Sequence, residues 1–101
     1  MAWRRAASVD QVTADSGLEV KIGDTALAIF RLGERLFALE GICPHAEASL
    51  ADGFIEQDRI ECPLHQALFH IPTGKCLGPP AERDLRIFPV KIEGNDVLVD
   101  V

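Results

Sequence analysis

The chain has 101 residues and a mass of 11.0 kDa, which is the size of one ordinary domain and leaves little room for a second. Apolar residues make up 48% and charged residues 26%, a composition that excludes an intrinsically disordered chain. Ten Lys and Arg residues against 16 Asp and Glu residues give a net charge of −6. This balance disfavours nucleic acid and anionic membranes as partners and favours a partner with a basic docking face.

Apolar residues alternate with period two along most of the chain, which is typical of β-strands. Residues 9–15 can hold a short helical turn with Ser8 as its cap. Strands are predicted in residues 26–30, 35–39, 86–92 and 97–101, separated by turn signals at 22–24, 32–34 and 93–96. The last of these turns predicts a hairpin. The pattern as a whole predicts an all-β fold, either an antiparallel β sandwich or a small barrel.

Nothing in the chain predicts export or membrane insertion. The longest apolar run, Ala26 to Phe30, has five residues, whereas a spanning helix needs about 20. The pair Arg4-Arg5 is not followed by the hydrophobic core of an export signal. The protein is therefore expected to be cytoplasmic, and in that reducing compartment an odd number of cysteines favours metal chemistry over a disulfide framework.

Residues 41–80 differ in composition from the rest of the chain. They contain all three cysteines, all three histidines and five of the six prolines. A loop-rich insert in a β scaffold is where functional residues are usually found. We therefore expect the site in this region.

Two short motifs in this region combine cysteine with histidine. The first is Cys43-Pro44-His45 and the second is Cys62-Pro63-Leu64-His65, with 16 residues between His45 and Cys62. Two thiolates and two imidazoles can bind one tetrahedral Zn²⁺ or a [2Fe–2S] cluster with both thiolates on one iron. Zinc sites usually keep like ligands together, whereas each motif here supplies one of each, which favours the two-metal core.

This ligand pattern resembles that of the Rieske iron–sulfur proteins. Residues 43–53 and 62–66, with Phe69 and Thr73-Gly74-Lys75, are similar to the small ferredoxins of bacterial aromatic-ring dioxygenase systems. The resemblance implies that Cys43 and Cys62 hold an inner iron. It implies that His45 and His65 hold an outer iron near the surface.

The resemblance also implies an architecture. The chain would be a single Rieske domain with a β base formed by residues 1–40 and 81–101. A loop-rich cluster-binding subdomain would occupy residues 41–80. Gly78-Pro79-Pro80 is similar to a proline loop that covers the cluster in relatives.

The function implied is that of a monomeric one-electron carrier without catalytic activity of its own. It would accept electrons from an NAD(P)H-dependent flavoprotein reductase and pass them to a terminal Rieske oxygenase. Two alternatives remain open at this stage. One is a small electron-transfer subunit held in a permanent complex, and the other is a structural zinc module with two cysteine and two histidine ligands.

Four positions depart from the high-potential respiratory branch of the family. Ala48 and Leu64 stand where that branch has a disulfide, and Ala67 and Phe69 stand where it has hydroxyl groups that bond the cluster sulfurs. Without those donors the reduced state is less stabilised. We expect a midpoint potential near the low end of the Rieske range, about −150 mV. The midpoint potential should be flat at neutral pH and fall in alkali. An imidazole bound to ferric iron loses its second proton more easily than one bound to ferrous iron, so reduction in alkali is coupled to proton uptake.

Other residues have an ordinary structural interpretation beside a functional one. Cys76 is expected to be a small, partly buried packing residue. His70 is expected to be an ordinary strand residue. Trp3 is expected to be a packing residue of the first strand. Five carboxylates form either a solvated face or a docking surface: Glu47, Asp52, Glu56, Asp58 and Glu61. Five apolar residues form either core or a collar that limits water at the cluster: Leu64, Leu68, Leu77, Pro79 and Pro80.

Overall fold

The structure, a computed structural model, describes residues 2–43, 48–64, 66–79 and 83–101. Within these ranges the chain forms three antiparallel sheets with strand orders β1-β10-β9, β2-β3-β4-β8 and β5-β6-β7. The strands are β1 Trp3–Ser8, β2 Leu18–Ile22, β3 Thr25–Leu32, β4 Arg35–Glu40, β5 Phe54–Glu56, β6 Arg59–Glu61, β7 Leu68–His70, β8 Ile87–Phe88, β9 Val90–Glu93 and β10 Asp96–Asp100. Short 3₁₀ helices occupy Val9–Gln11 and Leu50–Asp52. The predicted all-β, antiparallel fold is confirmed.

Strand β3 is buried on both of its faces and joins the two hydrophobic cores. Successive side chains of a strand point to opposite faces. Leu27 and Ile29 therefore pack with Val97 and Val99 of β10 in one of these cores. The alternate β3 residues pack into a second core that also contains both motif cysteines. Strand β3 thus contributes to both cores, including the one that holds the motif cysteines.

Most of the predicted strands and turns are confirmed. Residues 26–30 and 35–39 lie in β3 and β4, and the 93–96 turn joins β9 to β10 with Gly94 at a φ of 62°. The short helical turn follows Ser8, whose backbone N–H donates to Gln11 Oε1 at 2.9 Å. No helix in the ranges given above is long and apolar enough to cross a membrane.

The prediction of one continuous strand over residues 86–92 is wrong. The run is divided at Pro89 into β8, which pairs with β4, and β9, which pairs with β10 in another sheet. Proline has no N–H to donate to a ladder, so it suits the point where the chain leaves one sheet for another. The Pro89 carbonyl still accepts a bond from the Asp100 N–H at 3.0 Å.

Residues 41–80 contain more regular structure than the loop-rich insert that the composition predicts. Strands β5, β6 and β7 all lie in this range and form a sheet of their own. The inward residues of the sheet, Ile55, Ile60 and Phe69, face one another across the strands and pack in or against the second core. This small sheet is the platform from which the second cysteine motif begins.

Replacing Gly41 with alanine is expected to destabilise the protein by about 1–3 kcal/mol, the usual cost of overpacking a tight contact. A Cβ atom on Gly41 would meet backbone atoms of Leu27 at 2.8 and 2.9 Å, and rigid backbone cannot move aside cheaply. Urea unfolding would measure the change. Gly33→Asn is the matched control, because Gly33 lies in open space at a φ of 63° that asparagine tolerates. Equal stability of the two variants would contradict the expectation.

Candidate metal centre

The first cysteine loop (residues 43–48) follows strand β4. Gly41 anchors its approach, since the Gly41 N–H donates to the Ala26 carbonyl at 2.9 Å and the Gly41 carbonyl accepts from the Leu50 N–H at 2.8 Å. The Cys43 N–H then donates to the Ala48 carbonyl at 2.9 Å and closes the loop. Cys43 is buried, with 2% of its surface exposed.

The second cysteine loop (residues 62–67) repeats this construction. Cys62 follows β6 directly, and its N–H donates to the Ala67 carbonyl at 2.7 Å before β7 begins. In both loops the cysteine thus bonds the fifth residue after it, and in both that residue is a buried alanine. The other two predicted ligands, His45 and His65, lie outside the described residues.

The two thiol groups lie within hydrogen-bonding reach of each other. Burial raises the pKa of the Cys62 thiol to about 11, the Leu64 N–H bond to the sulfur opposes this, and the neighbouring Cys43 thiol adds to it. Two buried thiols in contact cannot both ionise without a compensating cation, and the thiolate is the form that binds metal. The chemistry of this donor pair therefore fits a metal centre that contributes positive charge, as a [2Fe–2S] core does.

The layer around the thiols is apolar. Ala67 and Phe69 are fully buried in the same core as the two cysteines, and neither side chain carries a hydroxyl. Apolar side chains without hydroxyl donors at these two positions disfavour added negative charge on the sulfur atoms. The side chains at these two positions thus supply none of the hydroxyl bonds that the sequence comparison associates with high potential.

The side chains of Cys76 and His70 both form hydrogen bonds to neighbouring protein groups. The Cys76 Sγ donates to the Gly78 carbonyl at 3.3 Å, and Cys76 packs against the core that holds the other cysteines. The His70 ring nitrogens bond Thr73 Oγ1 at 2.8 Å and Asp58 Oδ2 at 2.9 Å.

The acidic and apolar surface groups are only partly described. Asp52, Glu56 and Asp58 are exposed and Glu61 is half-buried, while Glu47 lies outside the described residues. Leu64 and Leu77 expose 50% and 43% of their surface. Leu68 is half-buried, Pro79 is exposed, and Pro80 lies outside the described residues.

Trp3 is in β1 as predicted, but it is 43% exposed and lies against Lys91, so it is not a core residue.

Sequence analysis missed Glu40, the last residue of β4. Its carboxylate accepts a forked hydrogen bond from Arg83, which is 43 positions further along the chain. No local pattern signals a pair with such a separation. The contact joins the approach to the first cysteine loop to the segment that leads into β8.

The chain belongs to the Rieske [2Fe-2S] domain family, whose profile matches residues 2–89. It is accordingly an iron–sulfur protein that binds a [2Fe–2S] cluster. Its relatives are ferredoxin components, so its activity is electron transfer rather than catalysis. The zinc alternative is thereby not supported.

Three individual similarities cover nearly the whole chain. The ferredoxin subunit of the biphenyl dioxygenase of Pseudomonas sp. strain KKS102 is 40% identical over 101 residues, covering 99% of this chain and 93% of that protein. The structure of a Sphingomonas yanoikuyae B1 ferredoxin matches with a TM-score of 0.93 at 30% identity, covering 99% of both chains. A ferredoxin in a complex with the reduced oxygenase of carbazole 1,9a-dioxygenase matches with a TM-score of 0.87 at 31% identity, covering 96% of this chain and 91% of that one.

Proposed function

We propose that this protein carries single electrons from an NAD(P)H-dependent flavoprotein reductase to a terminal Rieske oxygenase that hydroxylates aromatic rings. The observation that carries the proposal is the full-length similarity to ferredoxin components of dioxygenase systems. The match to a ferredoxin solved together with its oxygenase supports the second partner. The protein would work as a monomer in the cytoplasm, making the small and short-lived contacts typical of electron carriers.

We propose Cys43, His45, Cys62 and His65 as the four ligands of the cluster. The matched construction of the two cysteine loops and the contact between their thiols support the cysteine pair. The cysteines would bind the inner iron and the histidines the outer iron. The corresponding domain division is a β base of residues 1–40 and 81–101 and a cluster-binding subdomain of residues 41–80.

When bound, the cluster supplies a reversible one-electron couple. The residues of the chain do the remaining work. Cys43 and Cys62 are held by backbone hydrogen bonds in an apolar core, which excludes water from the sulfur side. Leu64 and Leu77 are exposed apolar residues near the cysteine loops, and they would contact a partner. The net charge of −6 favours partners with basic faces.

The proposal is tested with a purified NADH-dependent reductase and terminal oxygenase from a biphenyl dioxygenase system. NADH should bleach the visible absorption of the protein only when the reductase is present. Addition of the oxygenase with substrate and oxygen should restore the absorption, and the reduction rate should fall with added salt. The proposal would be wrong if NADH and reductase left the absorption unchanged while dithionite reduced the protein fully.

Replacing Ala67 with serine is expected to raise the midpoint potential by about 40 mV, the equivalent of one hydrogen bond worth about 1 kcal/mol. Ala67 is fully buried in the core that contains both cysteines, and a hydroxyl there would stabilise the more negative reduced state. Ala51→Ser is the matched control, since Ala51 belongs to the same core but lies outside the two cysteine loops. A redox titration in which both variants match the parent protein would refute the expected effect.

A further inference from the structure

We infer that Glu40 is a positioning residue of the metal centre. Its carboxylate fixes the segment Arg83–Arg86 and, through Asp84, the backbone of Cys76 against the chain that leads into the first cysteine loop. The inference rests on the proposed assignment of Cys43 as a ligand. We call this set of contacts the Glu40 network.

The first step of the network binds residues 83–86 to the end of β4. Glu40 Oε1 accepts hydrogen bonds from Arg83 Nη1 and from the Arg86 backbone N–H, both at 3.0 Å, and Oε2 accepts from Arg83 Nη2. The Glu40 backbone N–H also donates to the Arg86 carbonyl at 2.9 Å. Backbone and side chain of one residue therefore hold the same segment.

The second step extends the contacts to the chain before residues 80–82. Arg83 Nη1 also donates to the Asp84 carbonyl at 3.0 Å, and Asp84 Oδ1 accepts the Cys76 N–H at 2.8 Å. The Leu85 N–H donates to the Gly74 carbonyl at 2.7 Å. Asp84 thus ties together the two chain segments that flank residues 80–82.

The network lies directly beside the core that holds the metal-binding thiols. Leu85 is a buried member of the core that contains Cys43 and Cys62, and Cys76 packs against it. Loosening the segments that carry Leu85 and Cys76 would therefore open that core to water. This is how Glu40, which does not touch the thiols, would act on the site.

The Glu40–Arg83 pair differs from the other ion pairs among the described residues. The Glu40 side chain is 22% exposed, whereas the carboxylates of the other pairs are at least 50% exposed. The forked bond from Arg83 is the main reason why the pKa of the Glu40 carboxyl lies below its ordinary value, although burial opposes it. The carboxylate is consequently charged at neutral pH, and charge-assisted forked bonds are among the stronger ones in proteins.

Glu40→Gln and Arg83→Gln, made in the cluster-loaded protein, test the inference. Each should speed the loss of visible absorption in EDTA by about tenfold, the factor expected when a charge-assisted bond is lost. Hydrogen exchange should quicken at the Cys76 and Leu85 amides. The effects of the two substitutions should be far from additive in the double variant, because each of them breaks the forked Glu40–Arg83 bond.

Asp96→Asn is the matched control. It removes the exposed Arg5–Asp96 ion pair, whose closest atoms are 2.8 Å apart, from the base sheet on the far side of β3 from the cysteine core. EDTA bleaching in Glu40→Gln no faster than in this control, or unchanged exchange at Cys76, would overturn the inference. Arg83→Gln alters an exposed side chain, so it provides a second folded test. A wrong ligand assignment would appear separately, as iron retained by Cys43 variants.

Discussion

Replacing Cys62 with alanine is expected to give a protein that contains no iron or acid-labile sulfide. Cys62 is fully buried and its thiol lies against that of Cys43, so no solvent-exposed group can take its place. Removing one of two thiolates from an iron also leaves the other buried beside an unsatisfied metal ion. Iron and sulfide analysis of the purified protein, together with its visible spectrum, would measure the loss.

The third cysteine provides the control for this experiment. Cys76→Ser retains a side-chain donor for the Gly78 carbonyl, and the residue lies outside both cysteine loops in the sequence. It should purify with the full content of iron and sulfide. If Cys62→Ala kept its iron, or if Cys76→Ser lost it, the assignment of the ligand thiols would be incorrect.

Replacing His65 with cysteine is expected to lower the midpoint potential by an amount on the order of 100 mV, toward the range of ferredoxins with four thiolate ligands. Two thiolates cancel the positive charge of an oxidised core of two ferric ions and two sulfides. A third thiolate makes the oxidised site negative, so adding an electron becomes less favourable. Part of the alkaline decrease in potential should also disappear, because one titrating imidazole is removed.

His70→Gln is the corresponding control. Both ring nitrogens of His70 bond to protein groups, so its removal should change stability but leave the potential and its pH dependence as in the parent protein. Redox titration between neutral and alkaline pH compares the three proteins. Equal potentials for His65→Cys and the parent would contradict histidine ligation at this position.

The parts of the fold that were predictable are those encoded over short distances. The β9–β10 hairpin is signalled by Gly94 and Asn95 between two alternating segments, and the structure places Gly94 at positive φ. The spacing of the two motifs led to the Cys43–Cys62 pair, which the structure brings together in one core. The hairpin and each of the two cysteine motifs are short runs of adjacent residues, which is why the sequence alone signals them.

The missed features depend on pairing between distant segments or on elements too short to show periodicity. Strands β5 and β6 have three residues each, and their turn contains Gln57 at a φ of 57° instead of the glycine that usually signals a hairpin. The division at Pro89 depends on which sheet each half joins. The Glu40–Arg83 contact depends on how β4 and the segment before β8 meet in three dimensions.

The base and the metal-site region are expected to lose structure together, because they share β3. Leu27 and Ile29 on one face of this strand stabilise the base, while Ala28 and Phe30 on the other face pack with the cysteines. A strand that is buried on both faces transmits a disturbance from one core to the other. Cluster binding should therefore stabilise the whole domain by mass action.

Pulsed electron paramagnetic resonance of the dithionite-reduced protein, labelled with ¹⁵N only in histidine, tests the central assignment most directly. Two distinct histidine nitrogens should couple strongly to the unpaired electron in the parent protein, and one should disappear in His45→Cys and the other in His65→Cys. A spectrum with no strongly coupled histidine nitrogen, or couplings that survive both substitutions, would show that these side chains are not ligands of the reduced iron.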